Sequence, residues 1–176
     1  LLLPGDYVSF QFTGNYTTSE SALSEGILWD FTKKSIATDL MNYYGFDHSI
    51  IPPIQPAFSN HGQILQSIAQ ELGFSPKAIV RYKAGDQPNN ALSLGVLHPG
   101  QIATTAGTSG VVYGVSDELK FDPLSRVNSF AHVNYTSDFT RIGVLMCING
   151  TGILNRWIKQ QFYPNLNYSQ MNDLGA

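Results

Sequence analysis

Apolar positions along this chain fall into short patterned blocks separated by Gly and Pro. Within residues 62–73, Ile64, Leu65, Ile68, Ala69 and Leu72 recur at three- and four-residue spacing, which predicts an amphipathic helix stopped by Gly73. A shorter helix is predicted over residues 36–44, closed by Gly45. Residues 78–84 mix β-branched and aromatic side chains and read as a strand running into Gly85-Asp86. Pro88 suits a first helical turn, and with Ala91, Leu92 and Leu94 it predicts a short helix closed by Gly95. Residues 101–106 and 111–115 predict a hairpin, and residues 141–148 a further apolar strand. Residues 149–152 then lead into a helix with Ile153, Leu154, Trp157 and Ile158 on one face, and another helix is expected to begin at Ser169. The first 31 residues give two answers. Val8, Phe10 and Phe12 alternate as in a strand, while Asp6 after Pro4-Gly5 suits the cap of a short helix. Pro52, Pro53 and Pro56 force an extended connection. The pattern changes near residues 74–79, from Pro breaks and a helix to apolar strands, which predicts two units and a mixed sheet in the second.

Composition narrows the functional classes. The chain has 176 residues, 43% apolar, enough for a sizeable core in about one domain or parts of two. Charged residues are only 13%, and Ser, Thr, Asn and Gln together number 49. With a net charge of -3 and no Lys/Arg cluster, a nucleic-acid binder that tracks phosphates is not expected. No apolar run reaches the roughly 18 residues a membrane span needs. The single cysteine, Cys147, excludes an internal disulfide and a Cys-rich zinc site, and its apolar strand suggests an inert core residue. The four histidines (48, 61, 98 and 132) have no ligand spacing and read as surface or loop residues. Four Asn-x-Ser/Thr sequons, at Asn15, Asn134, Asn149 and Asn167, would permit glycosylation of a secreted chain. The absence of Met and of a signal peptide before Leu1-Leu2-Leu3-Pro4 suggests an internal segment of a longer protein.

Three polar clusters could carry chemistry. At the end of the 78–84 strand, Asp86 sits where α/β folds hold ligands and could take a proton from a substrate hydroxyl; it could equally cap the helix that follows. Gly107-Thr108-Ser109-Gly110 offers backbone N–H groups and two hydroxyls in a tight turn, the parts of an anion cradle or of an ordinary hairpin turn. It lacks the Walker A pattern, and no GxSxG elbow occurs. Asn149-Gly150-Thr151-Gly152 could present N–H groups to an anion, admit an adenine against the backbone, or simply cap a helix through Thr151.

The order of these features resembles the FGGY family of carbohydrate kinases, most nearly its xylulokinase branch. Pro4-Gly5-Asp6-Tyr7-Val8-Ser9-Phe10 with Thr13-Gly14 is similar to the family's "PkDYlxxxLTG" segment. Glu20-Ser21-Ala22 with Leu28-Trp29-Asp30, Tyr44-Gly45-Phe46, and Ile51-Pro52-Pro53 follow in the family's order. Ala84-Gly85-Asp86-Gln87, Gly107-Thr108-Ser109-Gly110 and Gly152 with Trp157 complete it. The stretch 73–80 departs from the family's "G-x-P-V" form.

The resemblance implies an α/β, actin-like (ribonuclease H-like) fold. Residues 1–77 would end the sugar-binding N-terminal domain, and residues 78–176 would begin the nucleotide-binding C-terminal one. It implies an ATP-dependent kinase that phosphorylates a sugar hydroxyl, with D-xylulose as the expected substrate and ATP and Mg²⁺ as cofactors. Asp86 maps onto the base, Gln87 onto a sugar contact, and Gly107, Thr108 and Ser109 onto a phosphate loop. Gly152 maps near the adenine or its ribose, with Arg156 beside it. No metal ligand maps onto this chain, so the segment alone is expected to be inactive. The resemblance further implies a cytoplasmic protein, allows a homodimeric parent, and leaves a glycerol kinase or another ketose or polyol kinase as the alternative. Low charge, 21 aromatics and the sequons keep a secreted carbohydrate-binding module as the reading from a different class.

Overall fold

The N-terminal ambiguity resolves as a helix in the computed structural model, which describes residues 1–175. Helix α1 (Pro4–Thr13) has Pro at its start, where a missing N–H costs nothing, and Gly14 closes it at φ 73°. Its buried stripe is polar: Asp6, Ser9 and Thr13 face inward at helical spacing, while Tyr7 and Val8 are exposed. The strand-like alternation of Val8, Phe10 and Phe12 therefore carried no burial information. Asp6 lies inside the first turn rather than capping it; the cap position is Leu3.

Ser19 caps α2 (Glu20–Glu25) by accepting from the Ala22 amide at 3.2 Å. A two-residue antiparallel ribbon follows, β1 (Trp29–Asp30) with β2 (Ser35–Ile36), and then α3 (Thr38–Tyr44), which Gly45 ends at φ 69°. Strand β3 (Phe58–Gln63) pairs antiparallel with β4 (Ile79–Tyr82) in the register Phe58↔Tyr82 and Gln63↔Ile79. The expected helix over 62–73 is thereby shortened to α4 (Gln66–Leu72). Its first residues are drawn into the β3–β4 ribbon, and the Ile64 amide donates to Ala78 O at 3.0 Å. Pairing with a distant strand outweighs local helical periodicity there. This ribbon also crosses the change of pattern at 74–79.

After α5 (Asp86–Ser93) comes a four-stranded sheet of β5 (Ile102–Ala106), β6 (Gly110–Ser116), β7 (Asn128–Ala131) and β8 (Ile142–Ile148), in the order β5-β6-β8-β7. Every pairing in it is antiparallel, which corrects the expectation of a mixed sheet. Helices α6 (Gly152–Phe162) and α7 (Tyr168–Asp173) follow, α7 opened by an Asn167/Gln170 capping box.

The pleat of β8 organises the core. Ile142 and Val144 join Leu23, Leu28, Trp29, Met41, Ala131 and Tyr135 in one cluster. Leu145 joins Ala91, Val96, Ala103, Tyr113 and Val115 in the other. Because side chains alternate across a strand, these clusters lie on opposite faces, so α2 and α3 cover one side of the sheet and α5 the other. A β-sandwich of the carbohydrate-binding kind is therefore not formed. Polar bonds join the layers: the Ala131 amide donates to Ser24 Oγ at 2.8 Å, and Trp29 Nε1 donates to Tyr135 Oη at 3.3 Å.

Two histidines expected at the surface are instead fully buried. His132 donates from Nε2 to Val96 O (3.0 Å) and accepts the Tyr113 hydroxyl at Nδ1 (2.9 Å). His61 lies with Ala57 O (3.1 Å) and Ser59 Oγ (3.3 Å) at its Nε2. Both nitrogens of His132 thus have fixed partners, whereas His61 Nδ1 is buried without one, and spacing in the sequence reveals neither burial. Cys147, expected in the core, is exposed on β8.

Candidate active site

The β4–α5 turn carries the densest chemistry. Beyond Tyr82 the chain enters a buried ion pair: Lys83 Nζ lies 2.8 Å from Asp6 Oδ1, with both side chains almost wholly enclosed. Lys83 also donates to Thr17 O, and Thr18 Oγ1 donates to Asp6 Oδ2 at 2.8 Å. Charges are retained in an interior only when paired and hydrogen-bonded in this way. The pair ties α1 and the 17–18 segment to the residue three before Asp86.

Gly85 is the cap residue of α5, in extended backbone, and makes no side-chain cap bond. A Cβ there would lie 1.9 Å from the Glu25 carboxyl carbon, so the Glu25 carboxylate rests directly on the Gly85 backbone. Asp86 is the first helical residue, not the cap, which removes the capping role the sequence allowed it. Its exposed carboxylate meets only the neighbouring Gln87 side chain, whose Nε2 is 3.4 Å from Oδ2. A carboxylate so placed is free to take a proton.

Asp86 shares a cleft of about 600 Å³ with Leu3, Pro4, Asp6, Glu25, Gly85 and Asn89. Burial pushes the Glu25 carboxyl up to about 7; the Asp86 charge adds to this, and the Gln87 and Asp86 amides at the start of α5 pull the other way. Glu25 Oε1 is buried without a hydrogen-bond partner. The sequence gives Lys83 only as a member of the polar cluster at the end of the strand and gives Glu25 no role, since nothing in their local spacing links residues some 60 positions apart.

The second site is the β5–β6 turn. The Gly107 amide donates to Ser109 O at 3.0 Å, closing the hairpin. Outward, Gly107 O accepts from the Gly152 amide (3.0 Å) and Thr151 Oγ1 (3.3 Å), and Thr108 O accepts from the Ile153 amide (3.2 Å). A Cβ on Gly152 would lie 2.3 Å from Gly107 O, so only glycine permits this contact. The structure thus joins two clusters that the sequence showed 40 residues apart. It also corrects one expectation, because the Gly152 and Ile153 amides serve the turn and are not presented to an anion. Thr151 likewise makes no cap bond. With the turn's carbonyls held by α6, Thr108 is left exposed and Ser109 half-buried, and Arg156 is exposed one turn further along α6. Hydroxyls and amides in such a turn suit phosphate oxygens.

The profile of the N-terminal domain of the FGGY family of carbohydrate kinases matches residues 1–93. The chain is 31% identical over 170 residues to the xylulose kinase of Bacillus subtilis (strain 168), covering 97% of this chain and 33% of that protein. It is 32% identical over 129 residues to the xylulose kinase of Streptomyces rubiginosus, covering 73% of this chain and 26% of that protein. The chain therefore belongs to the FGGY family of carbohydrate kinases. It spans about a third of the length of the first curated relatives. Among solved structures, ligand-bound xylulose kinase from Lactobacillus acidophilus superposes with a TM-score of 0.85 at 18% identity, over 96% of this chain and 34% of that one. Xylulose kinase from Rhodospirillum rubrum gives 0.83 at 22% identity, over 96% and 33%. The fold is the actin-like α/β fold of these kinases.

Proposed function

We propose that this chain is part of an ATP-dependent kinase that phosphorylates a sugar hydroxyl, with D-xylulose as substrate. The observation that carries the reading is Asp86: an uncapped, exposed carboxylate at the first position of α5, opening on the cleft. In the proposed step the sugar hydroxyl passes its proton to Asp86 as its oxygen bonds to the γ-phosphorus. The bond from that phosphorus to the β–γ bridging oxygen breaks, and ADP leaves. Gln87 would orient the sugar. Gly107, Thr108 and Ser109 would hold phosphate oxygens of ATP, with Gly152 and Arg156 on the nucleotide side. Residues 1–77 then belong to the sugar-binding domain, the family match carries that domain on to residue 93, and the nucleotide-binding one begins within residues 78–176.

Mg²⁺, which the family relationship implies, is ordinarily held by one or two carboxylates together with the phosphates of the nucleotide, and no ligand for it is assigned among these residues. Among the described residues no three His, Cys, Asp or Glu side chains gather as a metal site. No step is assigned to the ion here. No helix among the described residues is long and apolar enough to cross a membrane, and a cytoplasmic location is part of the proposal.

Asp86→Asn in the complete enzyme tests the reading. We expect kcat to fall by roughly 10²–10⁴, the usual worth of a positioned base. Because Asp86 makes no cap bond, the melting temperature should stay unchanged. A variant retaining full rate would overturn the assignment. Comparing kcat/KM for xylulose and glycerol distinguishes the leading substrate from the polyol alternative.

A further inference from the structure

Glu25 has no role in the step just described, yet it shares the cleft with the proposed base. Its carboxylate lies against the Gly85 backbone, where a Cβ would come within 2.1 Å of either oxygen and 1.9 Å of the carboxyl carbon. Glycine at position 85 is what admits it. Glu25 closes α2, and α2 is held in place from behind by the bond from the Ala131 amide to Ser24 Oγ (2.8 Å). The Gly85 amide reaches Ser21 Oγ on the same helix at 3.5 Å. The turn that presents Asp86 is therefore seated on α2, with Glu25 as the side chain in contact.

We infer, given the reading of Asp86 as the base, that Glu25 is a positioning residue for it. Its carboxylate seats the Gly85–Asp86 turn, and its ionisation controls how readily Asp86 takes the sugar's proton. The groups that face Glu25 are few. Asp86 approaches from α5, with the Asp86 and Gln87 amides. Asp6 of α1 lines the same cleft, but its charge is compensated by Lys83 at 2.8 Å. Tyr113 lies behind on β6, its hydroxyl held up in its neutral form by burial first and then by the Glu25 charge, and bonded to His132. None of these supplies a cation to Glu25 itself, so Oε1 is left buried without a partner.

The consequence is a switch near neutrality. Burial, with the Asp86 charge second, pushes Glu25 up to about 7, so it is neutral in mild acid and charged in mild base. Once ionised, it sets a second negative charge beside Asp86, which favours the arriving proton in the transition state. The rate should therefore climb several-fold as pH rises through about 7.

The test is the pH profile of kcat/KM for xylulose in the complete enzyme, with wild type, Glu25→Gln, Glu25→Asp and Asp86→Asn compared. Wild type should show an inflection near pH 7 that Glu25→Gln abolishes while KM for ATP stays constant. Glu25→Asp, whose shorter side chain withdraws the charge from Gly85, should keep an inflection but move it to lower pH. It serves as the decisive variant if Glu25→Gln does not fold. An inflection that persists unmoved in either variant overturns the inference. Asp86→Asn separates the two levels: if it retains full rate, the reading of the base has failed, whereas an inactive Asp86→Asn alongside an unaltered Glu25→Gln profile condemns the Glu25 role alone.

Discussion

The Asp6–Lys83 pair permits a quantitative test of what holds the site together. The side chains are 3% and 5% exposed, the ion pair spans 2.8 Å, and each partner makes one further hydrogen bond, to Thr18 and Thr17. Removing one member strands the other charge in the interior, which costs about 3–5 kcal/mol. At about 2–4 °C per kcal/mol for a chain of this size, Lys83→Met or Asp6→Leu alone should lower the melting temperature by roughly 6–20 °C. The double variant Asp6→Leu/Lys83→Met removes both charges and fills the space with apolar atoms, a change that is often neutral or stabilising. Most of the loss should therefore be recovered. Thermal melts of the four proteins form a double-mutant cycle. Single variants that melt within about 2 °C of wild type, or losses that simply add in the double variant, would show that the buried pair does not anchor the turn.

Three further outcomes rest on contacts elsewhere. Tyr113→Phe leaves His132 Nδ1 buried without its donor and should cost about 1–3 kcal/mol, read as a lower urea midpoint. Burial lowers His132 to about 4 from 6.5, so stability should be complete above pH 6.5 and fall as pH drops towards 4, because the unfolded chain takes up the proton first. Urea midpoints measured across that window check the sign, and a midpoint that rises on acidification there refutes it. Gly152→Ala places a Cβ 2.3 Å from Gly107 O and should push the β5–β6 turn away from α6. KM for ATP should then rise more than tenfold with KM for the sugar little changed; an unaltered KM for ATP would remove Gly107 to Ser109 from the nucleotide site.

Much of the candidate site was legible because its residues are neighbours in sequence. Gly85, Asp86, Gln87 and Pro88 form one strand–helix turn, and Gly107 to Gly110 one hairpin, so local rules about Gly, Pro and strand ends located both. The role of Asp86 as a cap was misjudged by one position, because helix starts are set by backbone geometry that spacing leaves uncertain. Glu25 was invisible for a different reason. Its significance is a contact across 60 residues, and the only local trace is that position 85 is glycine.

Local chemistry in the sequence determined the C-terminal ends of α3 and α4, the β5–β6 hairpin, strand β8, and the helix that begins after Gly150. Each depends on the conformational preferences of a few adjacent residues, which act wherever the chain goes. Tertiary structure alone decided that α1 turns a polar stripe inward, that residues 58–63 extend as a strand, and that His132 is buried. In those places the local preference is weak or contrary, and the outcome depends on a partner brought from far along the chain. Lys83 supplies a counter-charge for Asp6, β4 a ladder for β3, and Tyr113 a donor for His132. A buried polar group is stable only once such a partner arrives, so its position is a property of the whole fold.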